Sequence, residues 1–375
     1  MPKTKLGRDV DFIDVINNWG FSTVLLAIGA WNDRPLNIDG IDEYINKGLY
    51  YQNPLSQWFN HYHESNYQGR KHEIVDGAII IGGGLASIDI AKIVMMETVK
   101  DKLSERGIET NILELDRGID RILEANNLRF EDLDLKGCTL YYRRRAIDMP
   151  LTPMTTETPE LLQKAQGVRL KVLNNFMNKF FFKFQECRIP VNKVVKDDRL
   201  TGIVFGETRI EDEKVVKLEG KNHVVQAPLI VSSIGSIPEP IAGIESDGQA
   251  YKIDNHDSCR IAGFDNVFAV GNAVTGRGNI KASFHHSVEI SQKIMNEYLD
   301  WTETNFEEVL RAKESGAAEA VSSAINSLNK TNLLSVEQLA TIDGKVKEAQ
   351  QKVGYDGDFG KWIENHLPER LENIT

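Results

Sequence analysis

The chain has 375 residues, 41% hydrophobic and 26% charged, the make-up of a soluble globular protein long enough for about two or three domains. Its net charge of −11 repels nucleic acid in bulk, so any basic function must be local. Cys138, Cys187 and Cys259 lie far apart, which excludes a C-x-x-C redox pair and a closely spaced zinc or iron–sulfur site, and suits a reducing, cytoplasmic setting.

The N-terminus, Met1-Pro-Lys-Thr-Lys5, has no apolar signal core. Residues 11–20 read as a short helix. Thr23-Val-Leu-Leu-Ala-Ile28 reads as a buried strand that stops at Gly29. Residues 31–76 are rich in Pro, Gly, Asn and aromatics and read as an ordered loop or short helices. Within them His61-x-His63-Glu64 has no third ligand at a suitable spacing, so an aromatic loop is favoured over a metal site.

The stretch Asp76-Gly-Ala-Ile-Ile-Ile-Gly-Gly-Gly-Leu-Ala-Ser87 is the strongest signal. An apolar β-branched run ends in three glycines and passes directly into a helical pattern from Leu85 to about Val99. Gly82, Gly84 and Ser87 occupy the three small positions of G-x-G-x-x-G, with serine in the last. The first makes the turn, the second lets a pyrophosphate approach the backbone, and the third lets helix and strand pack closely. Leu85 and Ala86 then open a helix whose free N–H groups and positive dipole hold phosphate. The alternative is an ordinary tight strand–helix connection. The apolar region 78–96 includes Asp89, Lys92 and three glycines, and so does not read as a membrane span.

Residues 101–137 are helical in pattern, with one candidate strand at Thr110-Asn-Ile-Leu-Glu-Leu115. Cys138-Thr-Leu-Tyr-Tyr142 is a strand that runs into Arg143-Arg-Arg145. Arginines at the end of the second nucleotide strand pair with a 2′-phosphate, so Arg143 and Arg144 favour NADP. Two other readings stay open. The arginines form a solvated surface, or residues 110–115 are the second strand and Glu114 or Asp116 reads an NAD ribose. Gly84 to Glu114 spans 30 residues, more than the usual ~20, and Arg143 is farther still, so spacing does not decide.

Thr158 to Met177 reads as a helix and Phe180 to Phe184 as a strand. Residues 187–230 read as a small antiparallel meander with turns at Asp197-Asp198 and Gly220-Lys-Asn222. Leu229 to Ile234 is a buried strand stopping at Gly235. Asn266 to Val270 is another, stopping at Gly271, and Gly276-Arg-Gly-Asn-Ile280 opens a helix that carries His285-His286, read as a surface pair. The tail from 301 is helical, with capping boxes at Thr304/Glu307 and Ser335/Gln338. The chain holds no G-x-S-x-G nucleophile elbow.

Three strands end alike, in Leu25–Ala30, Ile230–Ser236 and Val267–Asn272. With Phe21–Pro35, Tyr51–Glu64, the Gly82 turn, Tyr141–Pro150, Ile230–Pro240 and Asn266–Ser287, they make the chain resemble the two-dinucleotide flavoproteins of the pyridine nucleotide–disulfide oxidoreductase superfamily. The nearest branch is that of glutamate synthase small subunits and ferredoxin–NADP reductase or adrenodoxin reductase-like enzymes. The resemblance implies an α/β fold in which an NADP-binding Rossmann-like domain is inserted in an FAD-binding domain. Residues 37–235 would bind NAD(P), residues 1–36 and 236–300 would belong to the FAD-binding domain, and 301–375 would form a helical tail. It also implies crossovers at Gly29 and Gly235, Gly271 and Asn272 against the FAD ribityl and pyrophosphate, and Gly278, Asn279 and Ile280 at the flavin ring edge. Asn272 stands where an Asp is commoner. Electrons would pass from NADPH through FAD to a ferredoxin-like acceptor, with no side chain acting as acid or base. One departure concerns the start. Only 22 residues precede the first matching strand, too few for the ~30-residue βαβ unit that opens such enzymes, so the chain is expected to be either a truncated product, an NADP-binding module without its own FAD turnover, or a subunit whose N-terminal half another polypeptide supplies.

Overall fold

A computed structural model describes residues 1–154, 156–276, 280–298 and 334–371. The chain divides into two compact units, Met1–Asn32 with Ile237–Leu367, and Asp33–Ser236 with Pro368–Thr375.

The second unit is built on a five-stranded parallel sheet in the order Leu49–Tyr51, Ile230–Ser233, Ile79–Gly82, Thr139–Tyr141, Lys183–Gln185. Ile79, Ile80 and Ile81 are at most 3% exposed, because both faces of the sheet are covered. Helices Gln52–His61, Leu85–Glu105 and Pro159–Phe180 lie on one face, around Leu55, Val94, Met95, Leu140 and Phe180. Leu200, Ile203 and Phe205 of the meander cover the other, against Leu49, Ile79 and Ile230. Strand order reverses between Ile79–Gly82 and Ile230–Ser233. Their C-terminal ends therefore flank the switch-point crevice where open α/β sheets bind ligands.

Several expectations are corrected here. The segment 110–115 is not a strand: Asn111 accepts the Glu114 N–H at 3.0 Å, and the Glu114 carboxylate accepts the Asn111 N–H at 3.3 Å. This capping box starts the helix Ile112–Asp116, so the second-strand reading of Glu114 and Asp116 falls. Within residues 31–76, Leu49–Tyr51 is a strand of the sheet and Gln52–His61 a helix. The helix at Leu85 runs on to Glu105 and stops before Gly107, at φ +74°. Phe180 ends a helix, and the strand begins at Lys183. The meander is present as Arg188–Lys196, Arg199–Glu211 and Lys214–Gln226. Its second reversal is at Asp212-Glu213, both left-handed, while Gly220 sits in a register shift opposite Glu207.

In the first unit, Val24–Leu26 pairs in parallel with Val267–Ala269, followed by Arg260–Ile261 and Ile253–Asn255 in antiparallel order. Only Leu26 of the first strand is buried, and Leu25 is 40% exposed. Helix Ile280–Glu297 packs Ile290 and Ile294 against Phe268 and Val270. The C-terminal helices are Val336–Lys352, with its Ser335/Gln338 capping box, and Phe359–Glu364. The Thr304/Glu307 box lies outside the described residues. No helix among those described is long and apolar enough to cross a membrane.

Candidate dinucleotide site

The three glycines at the end of strand Ile79–Gly82 have three different reasons to lack a side chain. A Cβ on Gly82 would strike the Ser233 carbonyl oxygen of the next strand and come within 2.6 Å of the Ser87 Cβ. A Cβ on Gly83 would strike the Tyr142 ring. A Cβ on Gly84 would meet nothing within 4 Å. The bare backbone of Gly84 faces open space, the cradle that a pyrophosphate needs.

Gly84 is also the N-cap of the 21-residue helix Leu85–Glu105, and no side chain caps it. The first-turn N–H groups of Leu85 and Ala86 have no intrahelical partner and sit at the positive end of the dipole. Ser87 is fully buried and donates its hydroxyl to the Gly84 carbonyl at 2.6 Å, which locks the turn.

The register Ile81↔Tyr141 places the arginines at the same end of the adjacent strand. The structure sorts them. Arg145 grips Asp148 with Nε and Nη2, both at 2.9 Å. Arg144 donates to the Glu213 carbonyl at 2.9 Å and lies 3.9 Å from Asp148. Arg143 is exposed, and its guanidinium makes no hydrogen bond or ion pair among the described residues. The neighbouring acids are engaged elsewhere: Glu207 by Arg188, Lys221 and His223, and Glu186 by the Ala146 N–H.

A polar cluster at the ends of Leu49–Tyr51 and Ile230–Ser233 was not read from the sequence. Ser233 donates to Gln52 Oε1 at 2.6 Å. Gln52 Nε2 and Asn53 Nδ2 both donate to Ser236 Oγ, at 3.0 and 3.1 Å. Asp33 accepts the Asn53 N–H at 3.1 Å. The available signal was the abrupt change to polar residues at Gln52-Asn53 and Ser232-Ser233 after apolar runs.

Burial pushes the Asp33 carboxyl up from 3.8 to about 6. Between those values the folded chain keeps a proton that the unfolded chain has lost. The contribution of Asp33 to stability therefore falls as pH rises through that window, and its cost is complete at pH 7. Asp33→Asn keeps an acceptor for the Asn53 N–H without the charge. It is expected to melt higher at pH 7 and to show a flatter pH dependence between pH 4 and 6. A lower melting temperature at pH 7 would contradict this account.

The residues matched to a flavin site lie apart from the Gly82 turn in sequence and are described in turn. Gly29 and Gly235 both have positive φ, +69° and +104°, and Gly235 accepts the Arg34 N–H at 3.0 Å. Gly271, at φ +65°, packs closely on helix Ile280–Glu297, with Ser283 and Ser287 the nearest groups to an added Cβ. Its N–H donates to His286 Nδ1 at 3.1 Å, and His286 Nε2 lies 3.7 Å from Cys259 Sγ. His286 is thus half-buried and braces the Gly271 turn, while His285 is exposed. Asn272 begins the short helix Asn272–Thr275. Ile280 opens the long helix and is 90% exposed. Gly278 and Asn279 lie outside the described residues. His61 pairs with Glu64, and no metal-holding cluster of His, Cys, Asp and Glu occurs among the described residues.

No family model matches the chain. Over 275 residues it is 26% identical to the NADPH-ferredoxin reductase FprA of Mycobacterium leprae (strain TN), a match covering 67% of this chain and 58% of that protein. It is 24% identical over 283 residues to the mitochondrial NADPH:adrenodoxin oxidoreductase of Arabidopsis thaliana, covering 67% and 56%. The chain is homologous to these reductases. The matched stretch spans little more than half of their length. Mycobacterium tuberculosis FprA in complex with NADPH superposes with a TM-score of 0.55 at 18% identity, over 87% of this chain and 73% of that one. A variant of the same FprA gives 0.57 at 19%, over 87% and 72%. These likenesses show a shared fold, whose parallel sheet in this chain carries the Gly82 turn described above.

Proposed function

We propose that the chain takes electrons from NADPH and delivers them by way of FAD to a ferredoxin-like acceptor. The observation that carries this reading is the open cradle over Gly84, at an uncapped helix start, with the uncommitted Arg143 at the end of the next strand. The names of the homologous reductases point to the same nucleotide and the same class of acceptor. The kinship with glutamate synthase small subunits is part of this proposal and rests on the sequence motifs.

In this reading the unit Asp33–Ser236 binds NADPH. The N–H groups of Leu85 and Ala86 hold the pyrophosphate, Gly82 and Ser87 fix the turn, and Arg143 pairs with the 2′-phosphate, with Arg144 beside it. Gln52, Asn53, Ser233 and Ser236 offer donors and acceptors at the mouth of the same crevice. Gly29 and Gly235 are the crossovers between the two nucleotide domains, and Gly271, Asn272, Gly278, Asn279 and Ile280 belong to the FAD side. The bound pair would supply the hydride chemistry, and the protein supplies position and field.

The test is a visible absorption spectrum of the purified chain with and without added FAD, followed by anaerobic NADPH. A flavin band that NADPH bleaches is the expected result. Failure to bind NADPH would overturn the reading.

One observation favours a second reading, in which a separate polypeptide completes the FAD-binding half. Strand Val24–Leu26 pairs with Val267–Ala269 on one side and with no other described strand, and Leu25 and Phe21 are exposed. Parallel strands are ordinarily covered, and open edges invite an added strand. In that case the chain alone retains no flavin while NADPH binding persists.

A further inference from the structure

The meander lies outside the parallel sheet, yet it touches the arginine loop at three points. Strand Arg199–Glu211 brings Thr208, which is 5% exposed, beneath residues 142–144. The Thr208 hydroxyl donates to the Arg143 carbonyl at 2.8 Å, and its N–H donates to the Cys187 carbonyl at 3.0 Å. Cys187 N–H in turn donates to the Arg144 carbonyl at 3.0 Å, and Arg188 N–H to that of Tyr142 at 2.9 Å. At the hairpin tip, the Glu213 carbonyl takes the Arg144 guanidinium.

We infer that Thr208 is a positioning residue for nucleotide selectivity, holding the backbone of Arg143 so that its guanidinium meets a 2′-phosphate. This rests on the reading of Arg143 as the phosphate cation. The physical grounds are local. The loop 142–145 forms no regular ladder of its own, so its path is set by the groups that take its carbonyls. The Arg143 carbonyl is bonded by a nearly buried hydroxyl from a strand outside the parallel sheet, and a buried hydroxyl keeps a fixed direction. Meanwhile the contacts to Glu213 and Asp148 occupy Arg144, leaving Arg143 as the loop's free cation among the described residues. A bond to a backbone carbonyl orients the residue without touching the ligand. Losing it should blunt a contact that depends on direction, and spare contacts made elsewhere by the helix N-terminus.

The experiment titrates the full chain with 2′,5′-ADP and with AMP, which differ only in the 2′-phosphate and need no flavin. Thr208→Val keeps the shape and removes the donor. The ratio of 2′,5′-ADP to AMP affinity is expected to fall roughly threefold to tenfold, the ordinary reach of one hydrogen bond. Thr208→Ser, which keeps the hydroxyl, is expected to restore most of the ratio, and it also serves if the valine variant does not fold. A purely structural Thr208 would weaken both ligands alike and leave the ratio unmoved, which would overturn the inference. An equal loss of ratio in the serine variant would also overturn it, since methyl packing would then be responsible. Arg143→Ala separates the two layers. If it leaves the ratio intact, the phosphate reading itself fails. If it collapses the ratio while Thr208→Val does not, only the role of Thr208 is lost.

Discussion

Replacing Arg143 with alanine should weaken NADPH binding roughly thirtyfold, with a much smaller change for NADH. The size follows from the interaction being lost. A charge-assisted hydrogen bond between guanidinium and phosphate contributes about 2 kcal/mol, and each 1.4 kcal/mol is about tenfold. Arg144→Ala should cost less, because the Arg144 guanidinium is already shared between the Glu213 carbonyl and Asp148. Arg145→Ala should act chiefly on stability, through the loss of its paired bonds to Asp148. Equilibrium titration with both nucleotides measures all three. Equal losses for NADPH and NADH in the Arg143 variant would show that the arginine does not read the 2′-phosphate.

The second large effect separates two glycines that the G-x-G-x-x-G pattern treats alike. Gly82→Ala puts a methyl against the Ser233 carbonyl oxygen and the Ser87 Cβ, in the centre of a covered sheet. The Ser233 backbone is held in register opposite Gly82 and has little room to step aside, so overpacking of about 3 kcal/mol is expected, with a melting temperature lower by roughly 6–12 °C. Gly84→Ala adds its methyl to open space at φ −96°, where any residue is at ease. Its melting temperature should stay within about 2 °C of the parent. Its NADPH affinity should fall at least about tenfold, because the methyl occupies the phosphate's approach. Thermal melts and nucleotide titrations on the two variants decide the matter. A Gly84 variant that binds as well as the parent would mean that the cradle is not the phosphate site.

The legible parts of the chain were those where a local pattern has one solution. A β-branched run, three glycines and an apolar helix allow little but strand, turn and helix, and the structure has them at Ile79–Gly82 and Leu85–Glu105. Alternation between turn residues likewise revealed the meander. Strand Leu49–Tyr51 was hidden because three residues are too few to show a period, and it is a strand only because Ile230–Ser233 pairs with it. The segment 110–115 misled because apolar alternation competes with capping chemistry over so short a span, and the Asn111–Glu114 box decided for a helix.

The sequence by itself determined the local pattern: a glycine turn between strand and helix, a basic strand end and a bulk charge hostile to nucleic acid. These follow from residue identity and near neighbours. Only the tertiary structure decided which arginine is free, why Gly82 and Gly84 differ, and that His286 and Thr208 brace loops 15 and 65 residues away in sequence. Those outcomes depend on which groups from distant segments reach a carbonyl, a guanidinium or an empty space first, and such competition leaves no period or motif in the chain.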